Sequence, residues 1–284
     1  MLKILLVGLY LIIAPFLGGL LAGIDRKITA RLQGRVGPPV FQPFYDVLKL
    51  FEKETLVVRR SQNFYIVFSL ILVIFTTGLF AWGANLLLVI FALTLSSIFF
   101  TLGGFKASSP YSFIGSNREL VQIASYEPAV LLTAIGMYMV TRSFNTYDIF
   151  LSGKPLFIPL AGILLSFIYI LPIKLRKSPF DLSTSHHAHQ ELVKGITTEF
   201  SGSALAMIEI AHWYESTIAL GIVFLFFAYK PLLGLLVVGL VYFFMIIIDN
   251  SFARVKWQKT FTSSWLVALI FGVGNIILLS YLAK

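Results

Sequence analysis

Cysteine is absent from this 284-residue chain, and charged residues are scarce. The lack of cysteine excludes disulfides, thiolate-held iron–sulfur clusters, cysteine-based zinc sites and a cysteine nucleophile. Charged residues make up 12% of the chain, against roughly 25% in ordinary globular proteins. Hydrophobic residues reach 58%, which is more than so few polar residues could cover in one soluble domain. The composition excludes a water-soluble protein, and any electrons handled nearby must be carried by other proteins.

Long apolar runs predict an all-α polytopic membrane protein with about eight transmembrane helices in one domain, residues 1–284. Each run approaches the roughly 20 residues that a bilayer core requires. The first run is longer than the core of a signal peptide, so we expect it to be retained as a helix. The fourth helix is expected to begin near residue 117, because Ser116 and Glu119 form a capping-box pattern. The predicted spans are 2–24, 64–81, 86–104, 117–140, 156–173, 203–228, 232–248 and 264–282.

Basic residues separate strongly between the two sides of these spans. The segments 25–63, 105–118, 174–202 and 249–263 contain 17 of the 22 Lys and Arg residues. By the positive-inside rule these segments are cytoplasmic and both termini lie outside. The net charge of +9 therefore indicates topology and does not call for nucleic acid as a partner.

The first cytoplasmic segment combines bases, a glycine–proline turn and an amphipathic helix. After Pro43, apolar residues recur at helical spacing, which predicts a helix lying in the membrane interface. Composition alone favours a surface anchor, and the sharper alternative is a docking surface for a peripheral partner, formed by 25–63 and 174–202. The apolar positions of the helix are Phe44, Val47, Leu48 and Phe51, and the candidate docking bases are Arg26, Lys27, Arg31 and Arg35.

Acidic residues inside spans are the strongest functional signal, because a bilayer penalises them. Glu127 lies within the fourth span and is followed by Pro128, which removes a backbone donor and opens the helix ladder. The plainer alternative is a salt bridge to Arg118. Glu209, His212 and Glu215 recur every three residues, so they form one stripe on the sixth helix. If that helix begins nearer Trp213, they are only interfacial charges.

Three ordered motifs resemble the membrane subunit that joins the peripheral and membrane arms of respiratory complex I, over nearly the whole chain. The first motif, in segment 25–54, includes Gly34-Arg35-Val36-Gly37-Pro38. The second is Gln122-Ile123-Ala124-Ser125-Tyr126-Glu127. The third is Ser178-Pro179-Phe180-Asp181-Leu182, followed by Glu191-Leu192-Val193-Lys194-Gly195 and Glu199-Phe200.

Segment 183–191 departs from the acidic loop of complex I and closely resembles the form in Ech-type energy-converting [NiFe] hydrogenases. This resemblance implies a non-redox coupling subunit in a prokaryotic plasma membrane, without a catalytic centre or bound cofactor of its own. The [NiFe] centre and [4Fe-4S] clusters would lie in partner subunits. The implied partners are the hydrogenase small and large subunits, a ferredoxin-like iron–sulfur subunit and an antiporter-like membrane subunit.

The histidines of this segment have two interpretations. His186 and His189, or His187 and Glu191, are spaced to share a helix face and bind metal. No cysteine or orienting second shell accompanies them, which favours contact with the hydrogenase small subunit or proton exchange near neutral pH.

The resemblance also implies a proton pathway through intramembrane carboxylates. Glu127 and Glu199 match carboxylates of the lateral proton axis of complex I. The acid usually found thirteen residues after Glu199 is replaced by His212, with Glu209 one turn earlier, so that step does not transfer residue by residue. The predicted pathway is Glu119, Glu127, Asp181, Glu199, Glu209, His212 and Glu215.

Three other functions remain open on the sequence. The first is a quinone-binding subunit of a complex I-type NADH dehydrogenase, in which the cytoplasmic loop forms a chamber. The second is an autonomous secondary transporter, although transporters often have broken helices in two related halves and Glu127-Pro128 has no counterpart. The third is a lipid-modifying enzyme, which would need clustered aspartates, whereas those of this chain are scattered.

Overall fold

The chain folds into a bundle of long helices joined on one side by extended loops. A computed structural model describes residues 1–55, 60–181, 183 and 192–282. The helices are α1 (Leu2–Leu32), α2 (Gln42–Glu52), α3 (Arg60–Trp82), α4 (Leu86–Lys106), α5 (Pro110–Thr141), α6 (Thr146–Leu151), α7 (Ala161–Lys174), α8 (Gly202–Leu225), α9 (Pro231–Ser251), α10 (Trp257–Val267) and α11 (Gly274–Leu282). Residues Gly195–Thr197 form a 3₁₀ turn, and a π-helical stretch, Ala268–Val273, joins α10 to α11.

The all-α polytopic prediction is confirmed. Among the described residues, seven helical stretches are long and apolar enough to cross a membrane, with α10, the π stretch and α11 forming one of them. The eighth predicted span corresponds to α7, which has only 14 residues and rises about 21 Å. Such a short helix is tolerated because α7 is enclosed by other helices, with Phe167 and Ile170 fully buried. Its non-helical flank therefore does not need to face lipid.

Two predicted boundaries are wrong. α1 continues to Leu32, so the bases that we assigned to a loop after residue 24 lie on its last turns. α5 begins at Pro110, and Ser116 lies inside the helix, where its hydroxyl donates to the Ser112 carbonyl at 2.9 Å. The capping-box interpretation fails because proline is well suited to the first turn of a helix and Glu119 is engaged elsewhere.

The amphipathic helix predicted after Pro43 is present as α2. Its Val47 is buried, and the Phe44 ring lies 5.1 Å from the Trp213 ring of α8. Leu48 and Phe51, which we grouped on the same apolar face, are 61% and 49% exposed. The helix therefore packs one edge on α8 and leaves a second apolar edge uncovered.

Two faces of the bundle can be distinguished. The long-loop face contains α2, the 174–202 segment and the α9–α10 connection, where Phe180 pairs with Val255. The opposite face contains the N-terminus, the α3–α4 turn and α6, where Asn85 pairs with Asn145. On the long-loop face, the 3₁₀ turn is pressed against α5, because a Cβ at Gly115 would collide with the backbone nitrogen of Ile196. The loop thus forms part of the bundle's interior.

Candidate functional site

Arg176 binds two buried carboxylates from different helices. Its Nη2 lies 2.7 Å from Oε1 of Glu119 on α5, and its Nη1 lies 2.9 Å from Oε2 of Glu215 on α8. The Ser183 hydroxyl donates to the other oxygen of Glu119, and Ser97 of α4 donates to Glu215 at 3.4 Å. A guanidinium presents its donors in a fixed fork, which suits it to joining two anions. This arrangement ties α5, α8 and the loop after α7 together.

The backbone places Arg176 at the end of α7 in an unusual conformation. The amide of Arg176 donates to the Ile173 carbonyl and that of Lys177 to the Pro172 carbonyl, which is the Schellman pattern that closes a helix. Arg176 itself has φ +53°, a left-handed conformation that usually selects glycine at this position. The two carboxylates are what an arginine gains there.

A second group of charges lies beside this cluster. Lys174, the last residue of α7, is buried, and its ammonium lies 4.5 Å from the centre of the Tyr126 ring. The carboxylate that acts most strongly on this ammonium is that of Glu127, ahead of Glu215 and Glu119. A buried lysine among glutamates compensates part of their negative charge.

Glu127 lies near the middle of α5, about 25 Å of helical rise from Pro110. Its Oε1 accepts a 2.7 Å hydrogen bond from Thr94 of α4, and its Oε2 is buried without a hydrogen-bond partner among the described residues. The alternative salt bridge from Arg118 to Glu127 is not formed, because Arg118 instead lies 2.6 Å from Asp181.

A cavity of about 500 Å³ opens between α1, α8 and α9 and the loop after α7. The predicted stripe on α8 faces it, since Glu209, His212 and Glu215 all line the cavity. α8 begins at Gly202, so these side chains lie well inside the helix, and the alternative start near Trp213 is wrong. The cavity also contains acids and bases from the other elements: Asp25, Arg26, Lys174, Arg176, Lys177 and Asp249.

His212 and Arg176 are connected through an aromatic ring. The Phe100 ring centre lies 5.3 Å from the Arg176 guanidinium carbon, and the His212 ring meets the same ring edge-on at 5.8 Å. An aromatic face attracts a cation, so Phe100 adds a third favourable contact to the Arg176 guanidinium.

Two predicted pathway residues lie outside this cavity. Glu199 is partly exposed and precedes α8, with its backbone carbonyl accepting from Gln62 of α3 at 3.2 Å. Asp181 is buried beside Arg118, and its amide donates to the Val255 carbonyl at 3.0 Å. Asp181 therefore fixes the loop after α7 to the α9–α10 connection.

The candidate docking bases are exposed on the long-loop face, as expected for Arg26, Lys27, Arg31 and Arg35. Arg26 also bridges to Asp46 of α2 at 2.6 Å. Partial burial would raise the pKa of Asp46, but hydrogen bonds from Gln42 and Arg26 outweigh it and lower that pKa. One of the four bases is thus partly committed to holding α2.

The candidate histidines His186, His187 and His189 lie outside the described residues. Within the described part of the chain, no three His, Asp or Glu side chains are grouped closely enough to hold a metal ion.

Sequence reasoning missed the basic half of the site. We assigned Lys174, Arg176 and Lys177 to the positive charge of a cytoplasmic loop, whereas all three line the cavity and Lys177 bridges to Asp25 at 2.6 Å. Their one sequence signal was adjacency: they directly precede the Ser178–Leu182 motif at the end of an apolar run.

Comparisons with known proteins agree with this architecture. Residues 3–280 match the model of the NADH dehydrogenase family. The chain is 29% identical to a membrane-complex component of Syntrophotalea carbinolica, an NADH-quinone oxidoreductase subunit, over 89% of this chain and 87% of that one. It is 31% identical to hydrogenase-4 component C of Escherichia coli, over 69% and 66%.

The fold also matches a solved structure. A chain of the archaeal membrane-bound sulfane sulfur reductase, a respiratory membrane complex, superposes with a TM-score of 0.80 at 25% identity, covering 97% of this chain and all of that one. These relatives are subunits of different redox complexes that share one membrane component. From the family match over residues 3–280, this chain belongs to the NADH dehydrogenase family of complex I-like membrane subunits.

Proposed function

We propose that this chain is the membrane anchor and coupling subunit of a ferredoxin-dependent, hydrogen-evolving [NiFe] hydrogenase, and that it links redox chemistry in a peripheral arm to H⁺ or Na⁺ translocation. The observation on which this rests is the Arg176 cluster, which joins buried carboxylates of two spans to the loop after α7. The same loop continues into the segment that resembles Ech-type hydrogenases. A movement of that loop would be felt directly by Glu119 and Glu215.

The charges suggest an order of proton movement. Protons enter the cavity from the long-loop face and reach Glu209, His212 and Glu215, which line it. Arg176 stabilises the ionised form of Glu215, so a displacement of Arg176 favours protonation of that carboxylate. Lys174 lies between this cluster and Glu127 and balances their charge. Glu127, bound to Thr94, then passes the ion sideways toward an antiporter-like neighbour.

Partner docking is assigned to the long-loop face. Lys27, Arg31 and Arg35 are exposed there, and a basic surface suits an acidic patch on the hydrogenase small subunit. In this proposal the face is cytoplasmic, the membrane is a prokaryotic plasma membrane, and the iron–sulfur and [NiFe] centres belong to the partner subunits.

The decisive test is purification of the complex through a tag on this chain, followed by identification of its subunits. We expect [NiFe] hydrogenase large and small subunits and a ferredoxin-like subunit. Recovery of NADH-oxidising subunits and tightly bound quinone would overturn the hydrogenase assignment.

Coupling is tested separately with Glu127→Gln in inverted vesicles supplied with reduced ferredoxin. We expect hydrogen evolution to continue or slow while the ion gradient is lost. The matched control is Glu52→Gln, since Glu52 is an exposed acid of α2. Wild-type gradient formation and turnover in Glu127→Gln would contradict the assignment of Glu127 as an essential relay.

A quinone-binding function is the second candidate, and the cavity is the observation that favours it. Its volume of about 500 Å³ falls within the range of small-molecule sites, about 300–1,000 Å³. Such sites are mostly apolar, whereas this cavity is lined by four bases, four acids and a histidine. Ionic side chains in this number suit water and protons better than a quinone tail. Inhibition by quinone-site compounds would favour the second candidate.

A further inference from the structure

A second large concavity lies in the other half of the bundle, and its chemistry is the reverse of the first. It measures about 680 Å³ and is bordered by α1, the end of α3, α6, α8 and α9. Its lining includes Leu17, Phe80, Phe150, Phe224 and Leu235, and no charged side chain of the described residues belongs to it. Leu17, Phe150 and Leu235 are 45%, 40% and 64% exposed, so the groove is open to the side of the bundle.

The groove has the length of one lipid leaflet. Along α1 it extends from Tyr10 to Leu21, which corresponds to about 16 Å of helical rise. Half of a typical hydrocarbon core is about 15 Å. The groove therefore spans the leaflet next to the opposite face of the bundle.

Its polar end is marked by a cation between aromatic rings. The Lys3 ammonium lies 4.6 Å from the Trp82 ring centre and 5.2 Å from that of Tyr147. Tyr147 also lines the groove. Tryptophan, tyrosine and lysine at the end of a span are typical of the headgroup level. The positive charge thus lies where the headgroup of a lipid in the groove would be.

The interior of the groove is kept open by a glycine. Gly239 of α9 lines it, and a Cβ built there would meet no atom of the described residues within 4 Å. Glycine is unfavourable in a helix interior relative to alanine, so packing within the described part of the chain gives no reason for it here. Apolar walls without contacting atoms forfeit dispersion attraction, and inside a bilayer the available filler is hydrocarbon.

From this geometry we propose that the groove is a binding site for one anionic glycerophospholipid, with an acyl chain along α1 and α9 and the phosphate at Lys3. The occupant is a lipid and not a quinone, because the groove opens at the face away from the ionic cavity. The inference is independent of the identity of the redox partners.

The test uses the intact complex, purified through a tag on this chain and reconstituted with spin-labelled phosphatidylglycerol or spin-labelled phosphatidylcholine. Electron paramagnetic resonance measures the immobilised fraction of each label. We expect wild-type protein to immobilise phosphatidylglycerol preferentially. Lys3→Gln should reduce that preference about fivefold, as expected from the loss of one interfacial charge, and Gly239→Phe should remove the immobilised component of both lipids.

The matched control is Gly8→Phe, because Gly8 is an exposed glycine of α1 with open space around it and does not line the groove. It should leave the immobilised fraction unchanged. Equal immobilisation of both lipids by wild-type protein would overturn the headgroup assignment. An unchanged signal in a folded Gly239→Phe complex, or the absence of an immobilised lipid because a neighbouring subunit fills the groove, would overturn the site.

Discussion

Replacing Arg176 by glycine separates backbone strain from ion pairing at the core of the site. Glycine is the preferred residue at the left-handed position of a Schellman motif, so the backbone alone should gain about 1 kcal/mol on substitution. The lost ion pairs act in the opposite direction. The side chains of Arg176, Glu119 and Glu215 are only 10%, 1% and 11% exposed, so two carboxylates would be left buried and uncompensated.

Breaking a buried ion pair by removing one partner costs about 3–5 kcal/mol. Subtracting the backbone gain leaves an expected net destabilisation of about 2–4 kcal/mol. The measurement is denaturant or thermal unfolding of the purified protein in micelles. Glu119→Gln combined with Glu215→Gln should restore most of the loss, because the glycine variant then no longer holds buried charge.

The chain contains a matched control for this experiment. Arg142 ends α5 in the same left-handed conformation, with φ +61°, but its side chain is exposed. Arg142→Gly should therefore be neutral or stabilising by up to about 1 kcal/mol. If Arg176→Gly were as stable as Arg142→Gly, the reasoning about the cluster would be refuted.

Three further predictions concern neighbouring features. Gly115→Ala should destabilise the protein by about 1–3 kcal/mol, because the new methyl group would meet the Ile196 backbone, and unfolding together with proteolysis of the loop checks this. Lys174→Met should lower ion translocation in inverted vesicles more than it lowers redox turnover, and equal losses would contradict a role in coupling. The lowered pKa of Asp46 means that its folded-state contribution is present above the unfolded pKa and is lost as pH falls through the folded pKa. Asp46→Asn should therefore destabilise α2 at about pH 7 by less than about 1 kcal/mol and have no effect at about pH 2, as measured by hydrogen exchange of the helix.

The sequence was sufficient for the membrane architecture because hydrophobic length is a local property. Seven of the eight predicted spans correspond to long apolar helices, since a run of apolar residues is visible without knowledge of its neighbours. Boundaries were less accurate. The end of α1 at Leu32 and the start of α5 at Pro110 lie in polar sequence, where helical hydrogen bonding continues although hydropathy has ended.

The acidic half of the site was also accessible from sequence. Glu127, Glu209 and Glu215 were identified because an acid in a span is costly and a spacing of three residues defines a stripe. The common exposure of Glu209 and Glu215 to one cavity follows from helix periodicity. The failure of the Arg118–Glu127 bridge does not, because Arg118 turns toward Asp181, a partner 63 residues away.

What the sequence determined by itself was the bilayer as solvent, the approximate number of spans, the exclusion of cysteine chemistry and the presence of penalised acids. Only the tertiary structure decided which base meets which acid. Lys174, Arg176 and Lys177 counted as loop charge in one dimension, but each is turned into the bundle by the end of α7. Ion pairing depends on side chains from distant elements meeting within a few ångströms, and no local pattern records that distance.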